Sequence, residues 1–264
     1  MSDSSRLSTK PIPARERLIL ALDVNSPAEA QQLAERLGDA VVFYKLGLQL
    51  FMAGGYYELI EWLTGKGKKV MVDLKFFDVP ETVASAVAQL RNRGATFATV
   101  HGNDGILEAA VKRRSGVKIL AVTVLTSLDR HDLADLGFAC DPETLVLSRA
   151  RRALALGCDG VISSGLEAGK LRAELGDRFL VVTPGIRPVE NRPEDDQKRV
   201  ATLEQAFLNG ADYVVVGRPI RTAPDPRAKA EEFQRQIAAL YRTKARDTIR
   251  LLTSAATGWP VPGF

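Results

Sequence analysis

The sequence predicts an α/β fold in which one domain forms a single (β/α)8 barrel. Three observations support this prediction. Short apolar runs alternate with amphipathic stretches, eight of each can be placed along the chain, and the apolar runs are rich in β-branched residues without alternating polar positions. Strands of that kind are buried on both faces, as parallel strands are. Strict alternation of strands and helices indicates a parallel sheet, and eight repeats favour its closure into a barrel.

The predicted elements are bounded by helix start and stop signals. Ser26 is a plausible N-cap for the first helix, Pro80 opens the third, and Gly38, Gly94, Gly157 and Gly210 each follow a helix end. Strands are predicted at 18–22, 41–44, 69–74, 96–100, 117–124, 160–163, 179–183 and 213–216. Helices are predicted at 27–37, 48–64, 80–92, 105–113, 142–156, 166–175, 202–209 and 226–241, with a weak point in the second at Gly54-Gly55.

The alternative to a barrel is an open, doubly wound sheet. Such a sheet is expected to carry a G-x-G-x-x-G turn after its first strand, whereas here that strand runs into Asp23-Val24-Asn25-Ser26. The barrel is therefore favoured. We expect a polar N-terminal tail at 1–14, the barrel at 15–241 and a C-terminal extension at 242–264, for which the sequence suggests no packing partner.

Composition narrows the function classes. The chain is 45% hydrophobic and 26% charged, which fits a soluble globular domain. The net charge is only +4 and the basic residues form no stripe, so a small anionic ligand is expected rather than a nucleic acid. No apolar run reaches the roughly 20 residues of a membrane span, and residues 1–13 do not resemble a secretory signal, so we expect a cytoplasmic protein.

Polar residues close the predicted strands. In an α/β barrel these positions build the active site at the carboxyl ends of the strands. They are Asp23, Lys45, Asp73, Lys75, His101, Thr123, Thr126, Ser163, Ser164, Arg187, Gly217 and Arg218. We interpret His101 as a hydrogen-bonded residue near the rim and assign no role to His131. No group of His, Cys and carboxylates has the spacing of metal ligands, so we predict no metal.

The segment around Lys75 carries the strongest chemical signal. Asp73 and Lys75 are two residues apart, so on a regular strand they face the same side. Lys45 closes the neighbouring strand and Asp78 follows closely, which predicts an array of alternating charge. Flanking carboxylates favour the ammonium form of Lys75, which could then deliver a proton to a carbanion. The alternative is a salt-bridge network at the rim without chemistry.

The loops after the seventh and eighth strands indicate a phosphate site. Arg187 follows one of these strands and Gly217-Arg218 the other, at the usual phosphate position in such barrels. Glycine allows backbone N–H groups to approach an anion, and arginine can bind phosphate through two hydrogen bonds. A tight turn and a solvated charge are the alternatives for Gly217 and Arg218. The polar segment 188–198 is either a lid or an ordinary surface loop.

Several motifs resemble the orotidine 5′-monophosphate decarboxylase family, and the resemblance covers most of the chain. They are Leu20-Ala-Leu-Asp23, Lys45-Leu-Gly47, Asp73-Leu-Lys-Phe-Phe-Asp-Val-Pro-Glu-Thr82, Thr123-Val-Leu-Thr-Ser127, Thr183-Pro-Gly-Ile-Arg-Pro188 and Gly217-Arg218. The long central motif is specific, whereas the short ones are informative through their order. The resemblance implies a barrel homodimer that converts orotidine 5′-monophosphate to UMP and carbon dioxide without metal or cofactor.

The resemblance also implies a role for each matched residue. Lys75 would protonate the ring carbon, beside Asp73 at the departing carboxylate. The other residues would act as follows: Asp78 and Thr82 at the partner subunit's site, Asp23 and Lys45 at the ribose, Thr126 at the pyrimidine, and Arg187, Gln197, Gly217 and Arg218 at the phosphate, with Gln197 on the lid. Phe77 and Glu81 stand where many relatives have His and Asn, but neither belongs to the charge array.

Two rival functions remain open from the sequence. One is a metal-dependent sugar-phosphate decarboxylase or aldolase-like lyase of the same barrel group, since these also carry an Asp-x-Lys-x-x-Asp segment. The Phe-Phe-Asp-Val-Pro and Pro-Gly-Ile-Arg-Pro runs argue against it. The other is a nucleotide-binding barrel without catalytic activity.

Overall fold

The predicted barrel is confirmed by the structure, a computed structural model that describes residues 6–186 and 199–256, with 243–256 described by their backbone. Within these residues eight parallel strands form a closed barrel in sequence order. Closure is made by β1 (Leu18–Ala21) and β8 (Tyr213–Val216), which pair through Leu18 with Val214 and Leu20 with Val216. No described helix is long and apolar enough to cross a membrane.

The elements follow the predicted alternation, with some additions. The remaining strands are β2 (Phe43–Gly47), β3 (Lys69–Phe76), β4 (Phe97–His101), β5 (Lys118–Val122), β6 (Gly160–Ile162) and β7 (Leu180–Thr183). The helices are α1 (Pro27–Leu37), α2 (Leu48–Met52), α3 (Tyr56–Gly65), α4 (Pro80–Ala88), α5 (Asp104–Arg113), α6 (Arg130–Asp135), α7 (Pro142–Ala155), α8 (Ala168–Leu175), α9 (Leu203–Leu208), α10 (Arg218–Arg221) and α11 (Pro226–Ala256). Short 3-10 helices lie at Ala14–Glu16 and Gly38–Ala40.

Two predicted helices differ most from the structure, whereas others differ by up to four residues at an end. The helix predicted at 48–64 is wrong as one element, because Gly54 (φ 81°) and Gly55 (φ 65°) adopt left-handed backbone and divide it into α2 and α3. Right-handed helix cannot continue through such residues. The last helix was predicted to end at residue 241, but α11 continues to Ala256. His131, to which the sequence assigned no role, lies in the short helix α6 between the predicted elements.

The barrel is filled by side chains at its amino end and open at its carboxyl end. Phe43, Phe97 and Tyr213 are each the first residue of their strand, and their rings meet inside the barrel at centroid distances of 5.2 to 5.8 Å. A second, larger core cluster lies between the strands and the surrounding helices. Because the strands are buried on both sides, their sequences are apolar without alternation. The space above the rings is left for a ligand.

The part of the N-terminal tail that is described packs onto the barrel. Leu7 is buried, and Arg6 N donates to Leu208 O over 2.9 Å. Ser8 Oγ donates to Oδ1 of the fully buried Asp212, which also accepts from Arg172 through Oδ2 over 2.7 Å. These contacts lie at the end of the barrel where the strands begin, away from the open end.

Candidate active site

The open end of the barrel holds a cavity of about 530 Å³. Its floor is apolar and belongs to the inner core, with side chains from five different strands: Ala21, Met71, Val122, Ile162 and Val215. Its walls carry seven of the residues predicted from the sequence: Asp23, Lys45, Asp73, Lys75, Thr126, Gly217 and Arg218. The closure of the barrel thus brings together side chains that are up to 195 residues apart in the chain.

Asp73 lies between two lysines. Lys75 Nζ donates to Asp73 Oδ1 over 3.0 Å, and Lys45 Nζ lies 3.4 Å from Oδ2 of the same carboxylate. Lys45 also donates to Asp23 Oδ1 over 3.0 Å. The side chain of Asp73 is only 10% exposed, whereas that of Lys75 is 36% exposed and reaches into the cavity. The result is a chain of alternating charge along one wall, Asp23–Lys45–Asp73–Lys75.

The backbone at Lys75 explains how its side chain reaches Asp73. Lys75 has a φ of 47°, and the register between β3 and β4 shifts between Val72 and Phe76. Asp73 and Lys75 are in contact, as predicted. The prediction rested on a regular strand, however, whereas the strand is irregular here. An irregularity in the strand re-aims the lysine, as bulges beside active sites commonly do. Left-handed backbone at a non-glycine residue costs of order 1–3 kcal/mol.

Thr99 on β4 supports this irregular segment and was missed by the sequence reasoning. Its Oγ1 donates to Asp73 Oδ1 over 2.9 Å and accepts from Lys75 N over 3.0 Å. The hydroxyl therefore replaces the strand partner that Lys75 N loses at the register shift. Thr99 is fully buried in the middle of an apolar strand, so its only sequence signal was a hydroxyl residue within Phe97–His101.

The charges in the array stabilise one another. Burial alone would raise the pKa of the Asp73 carboxyl, but Lys45 and Lys75 outweigh it and the pKa is lowered. Burial opposes the charged form of Lys45, yet Asp73 and Asp23 outweigh it and raise the pKa of that ammonium. Both groups are therefore charged at neutral pH. A buried ionised carboxylate next to a lysine that faces the cavity is suited to proton delivery beside a fixed negative charge.

Asp78 and Thr82 do not line this cavity. Both are exposed, Asp78 just before α4 and Thr82 within its first turn, and Asp78 Oδ1 accepts a 2.6 Å hydrogen bond from Val79 N. The sequence-based array placed Asp78 beside Lys75, but within one chain the alternation of charge ends at Lys75. Next to Asp78, Phe77 and Val79 are 67% and 62% exposed, so the start of α4 presents an apolar surface around this carboxylate.

The part of the cavity lining that follows β7 and β8 is cationic. Gly217 is the N-cap residue of the short helix α10, whose Arg218 and Arg221 both line the cavity, together with Pro184 and Gly185 after β7. Arg187, Gln197 and the predicted lid at 188–198 lie outside the described residues. The two described arginines add positive charge to the cavity lining, as an anionic ligand would require.

His101 differs from its sequence-based interpretation. It lies at the end of β4 outside the cavity, and its ring meets that of Phe77 edge-on at 5.2 Å. Its Nδ1 atom is buried without a hydrogen-bond partner among the described residues, so it is not the satisfied residue that we expected. Burial lowers its pKa, and Arg149 and Lys75 lower it further, so the imidazole is neutral. The described residues contain no cluster of three His, Cys, Asp or Glu arranged to hold a metal.

Comparison with protein families identifies the chain. The model of the orotidine 5′-phosphate decarboxylase / HUMPS family matches residues 16–233. The chain belongs to this family. The match spans all eight strands and both ends of the charge array, so the family resemblance drawn from the motifs is confirmed.

Several relatives within the orotidine 5′-phosphate decarboxylase / HUMPS family are similar over nearly their whole length. The orotidine 5′-phosphate decarboxylase of Methylococcus capsulatus is 65% identical over 89% of this chain and 97% of its own. That of Stenotrophomonas maltophilia is 48% identical over 88% and 98%. The crystal structure of the Lactobacillus acidophilus enzyme, 37% identical, superposes with a TM-score of 0.74 over 84% of this chain and 99% of its own.

Proposed function

We propose that this protein is an orotidine 5′-monophosphate decarboxylase, which forms UMP and carbon dioxide. Family membership and the high identity to enzymes of that name support the proposal. The observation that carries it is the carboxylate of Asp73, held ionised between Lys45 and Lys75 above an apolar floor. Loss of carbon dioxide creates a carbanion, and fixed cationic charge stabilises a developing anion most in such a site.

The charge array and the cationic part of the cavity lining suggest how the nucleotide binds. In this proposal the phosphate binds at Gly217 and Arg218, and the ribose hydroxyls bind at Asp23 and Lys45, all of which line the cavity. The pyrimidine then lies near Thr126, with its carboxylate directed at Asp73 and Lys75. Arg187 and Gln197 complete the phosphate contacts in this proposal. Because phosphate binding is remote from the reacting carbon, its energy can be used to hold the ring in place for reaction.

The reaction needs one proton and no electron acceptor. The bond between the ring carbon and the carboxylate breaks, its electron pair remains on the ring carbon, and carbon dioxide departs. The Lys75 ammonium transfers a proton to that carbon, which gives UMP and a neutral amine, and the amine then takes a proton from solvent. Before the bond breaks, Asp73 repels the substrate carboxylate, and this repulsion disappears with carbon dioxide. Lys75 is thus both the proton donor and the nearest stabilising charge.

The proposed enzyme is a cytoplasmic homodimer in which α4 reaches the neighbouring site. Asp78 and Thr82 are exposed, and Phe77 and Val79 beside them would leave water on association. In a two-fold dimer the same surface serves both subunits, so each site would receive Asp78 from its partner. This arrangement accounts for the two predicted site residues, Asp78 and Thr82, that lie outside the cavity of their own chain.

The test is a direct assay with orotidine 5′-monophosphate in the presence of EDTA, followed by the fall in ultraviolet absorbance. We expect turnover that the chelator does not affect. Activity that disappears with EDTA and returns with Mg²⁺ would instead identify a metal-dependent lyase. A protein that binds UMP but leaves the substrate unchanged over hours would be a nucleotide-binding barrel without catalysis.

A further inference from the structure

A buried ion pair lies directly behind the wall of the cavity that carries Thr126. Arg199 Nη1 lies 2.5 Å from Glu167 Oε1, and the two side chains are only 10% and 6% exposed. The removal of two charges from water is costly unless further hydrogen bonds satisfy them. The remaining partners of this pair therefore indicate what it holds in place.

Arg199 binds three successive carbonyl groups of the segment after β5. Its Nη2 donates to Val124 O over 3.0 Å and to Leu125 O over 2.9 Å, and its backbone N donates to Thr126 O over 3.2 Å. This segment has no regular secondary structure, so its carbonyl groups lack strand partners of their own. The planar guanidinium thus takes the place of a neighbouring strand.

The other member of the pair, Glu167, is hydrogen-bonded to the segment that follows the next strand, β6. Its Oε2 accepts a 3.3 Å hydrogen bond from Ser163 Oγ, and its backbone N donates to Ser164 O over 3.2 Å. Ser163 follows β6 and its N donates to Val182 O on β7. The pair therefore anchors the segment after β5 to the framework formed by β6 and β7.

The anchored segment forms one wall of the cavity. Val124, Leu125, Thr126 and Ser127 all line it. In the proposed function this wall meets the pyrimidine through Thr126, whereas the phosphate contacts among the described residues, Gly217 and Arg218, lie at the start of α10 after β8. A shift of the anchored segment would therefore change contacts to the base and leave those of Gly217 and Arg218 to the phosphate in place.

We propose that Arg199, held by Glu167, is a positioning residue that makes the site select ligands by their base. The inference rests on the proposed function and deepens it, because it names the part of the nucleotide that the pair controls. Neither residue touches the ligand. Their effect is carried by the carbonyl groups of Val124, Leu125 and Thr126, which fix the direction of the Thr126 side chain.

The test compares two ligands that differ only in the base, UMP and ribose 5-phosphate. Arg199→Lys keeps the positive charge but cannot bind both Val124 O and Leu125 O from one planar group. We expect its Kd for UMP to rise about tenfold, equivalent to about 1.4 kcal/mol, while that for ribose 5-phosphate changes less than about twofold. The KM for orotidine 5′-monophosphate should rise in parallel.

Arg172→Lys is the matched control. Arg172 forms a similarly buried pair with Asp212 and also donates to three carbonyl groups, those of Gly210, Gly176 and Phe179, at the other end of the barrel. Arg172→Lys should lower the melting temperature as Arg199→Lys does. The ratio of the Kd for UMP to the Kd for ribose 5-phosphate should stay unchanged. An equal effect of Arg199→Lys on both ligands, or the same selective loss in Arg172→Lys, would overturn the proposal.

A double variant keeps the proposal testable if Arg199→Lys does not fold. Arg199→Met with Glu167→Leu removes both charges together, an exchange that buried pairs often tolerate in stability. We expect this protein to fold and to show the same selective loss of UMP affinity, and an unchanged ratio would again reject the role of Arg199. The two proposals fail separately, because a wild-type protein that does not consume orotidine 5′-monophosphate rejects the decarboxylase activity, whatever the ligand ratios show.

Discussion

Lys75 is the side chain on which the proposed chemistry depends most directly. Its ammonium lies 3.0 Å from Asp73 Oδ1 and is the exposed end of the charge array. We expect Lys75→Ala to lower kcat by at least about a thousandfold, because proton transfer and charge stabilisation are lost together. UMP should still bind, since Gly217, Arg218 and Thr126 are unchanged. Steady-state kinetics and calorimetric titration with UMP would measure the two effects.

Lys118→Ala provides the control for this substitution. Lys118 is the exposed first residue of β5, at the opposite end of the barrel from the cavity. Its removal should leave both turnover and UMP binding at the level of the wild-type protein. Near-normal turnover in Lys75→Ala would rule out the role of Lys75 as the proton donor.

His101 gives the protein a stability that depends on pH. Burial, Arg149 and Lys75 lower its pKa in the folded state, so the unfolded chain binds a proton more readily. The corresponding stability is present above the ordinary histidine pKa of about 6.5 and is lost as the pH falls from there toward the lower pKa of the folded state. We expect the melting temperature to fall over that range in the wild-type protein and to fall less in His101→Gln. In His131→Gln, which alters an exposed residue of α6, the full decrease should remain.

The residues that sequence reasoning missed share a physical property. Thr99, Glu167 and Arg199 act through hydrogen bonds to backbone groups or to a second side chain, and none of them lines the cavity. Most of the site residues were predictable because the barrel geometry brings the ends of the strands together at one cavity, although His101 at the end of β4 lies outside it. A buried threonine inside an apolar strand has no such signal, and its role depends on a register shift that the sequence does not reveal.

At the scale of elements, strand packing around β6 depends on the absence of a side chain. A Cβ atom at Gly160 would lie 2.4 Å from Leu180 O and 2.6 Å from Leu180 Cβ on β7. Since backbone cannot yield easily, we expect Gly160→Ala to destabilise the barrel by roughly 1–3 kcal/mol. Urea unfolding would measure the change.

Gly105→Ala is the comparison for Gly160→Ala. Gly105 lies in the first turn of α5, where the nearest atom to an added Cβ, other than local backbone, is Pro80 Cγ at 3.6 Å. Alanine has the higher helix propensity, so this variant should be unchanged or more stable by up to about 1 kcal/mol. A destabilisation of the same size in both variants would show that the close approach of Gly160 to β7 is not the cause of the lower stability.

The bounds of α1 and β2 show where local sequence signals were sufficient to predict an element and where they were not. Helix α1 was predicted with the bounds seen, because Ser26 caps its first turn through Glu29 N and Gly38 (φ 55°) ends it. Strand β2 begins and ends later than predicted, and this places Lys45 inside the strand, paired with Ala21 and Met71. The apolar run at 41–44 alone could not reveal that shift, because the register is set by the neighbouring strands.

At the scale of the whole molecule, the proposed dimer predicts that inactive subunits can restore each other. In Lys75→Ala mixed with Asp78→Ala, a heterodimer would contain one site with both wild-type residues and one with neither. Random exchange makes half of the dimers mixed, so about a quarter of normal activity should return. The activity would be assayed after subunit exchange has been verified with differently tagged chains.

A second mixture controls for nonspecific rescue. Asp73 and Lys75 belong to the same wall of one chain, so Lys75→Ala mixed with Asp73→Ala should regain nothing. No recovery in the first mixture, with exchange verified, would contradict the placement of Asp78 in the neighbouring site. Recovery in both mixtures would contradict the assignment of Asp73 and Lys75 to the same site.

The left-handed backbone at Lys75 places folding and catalysis in competition. Glycine and asparagine tolerate a φ of 47° better than lysine does. Lysine at this position is therefore less favourable for the stability of the folded state. A population selected only for thermal stability would be expected to replace Lys75, and with it would lose turnover. If Lys75 is the proton donor that we propose, the strain at this residue is retained for activity at the expense of stability.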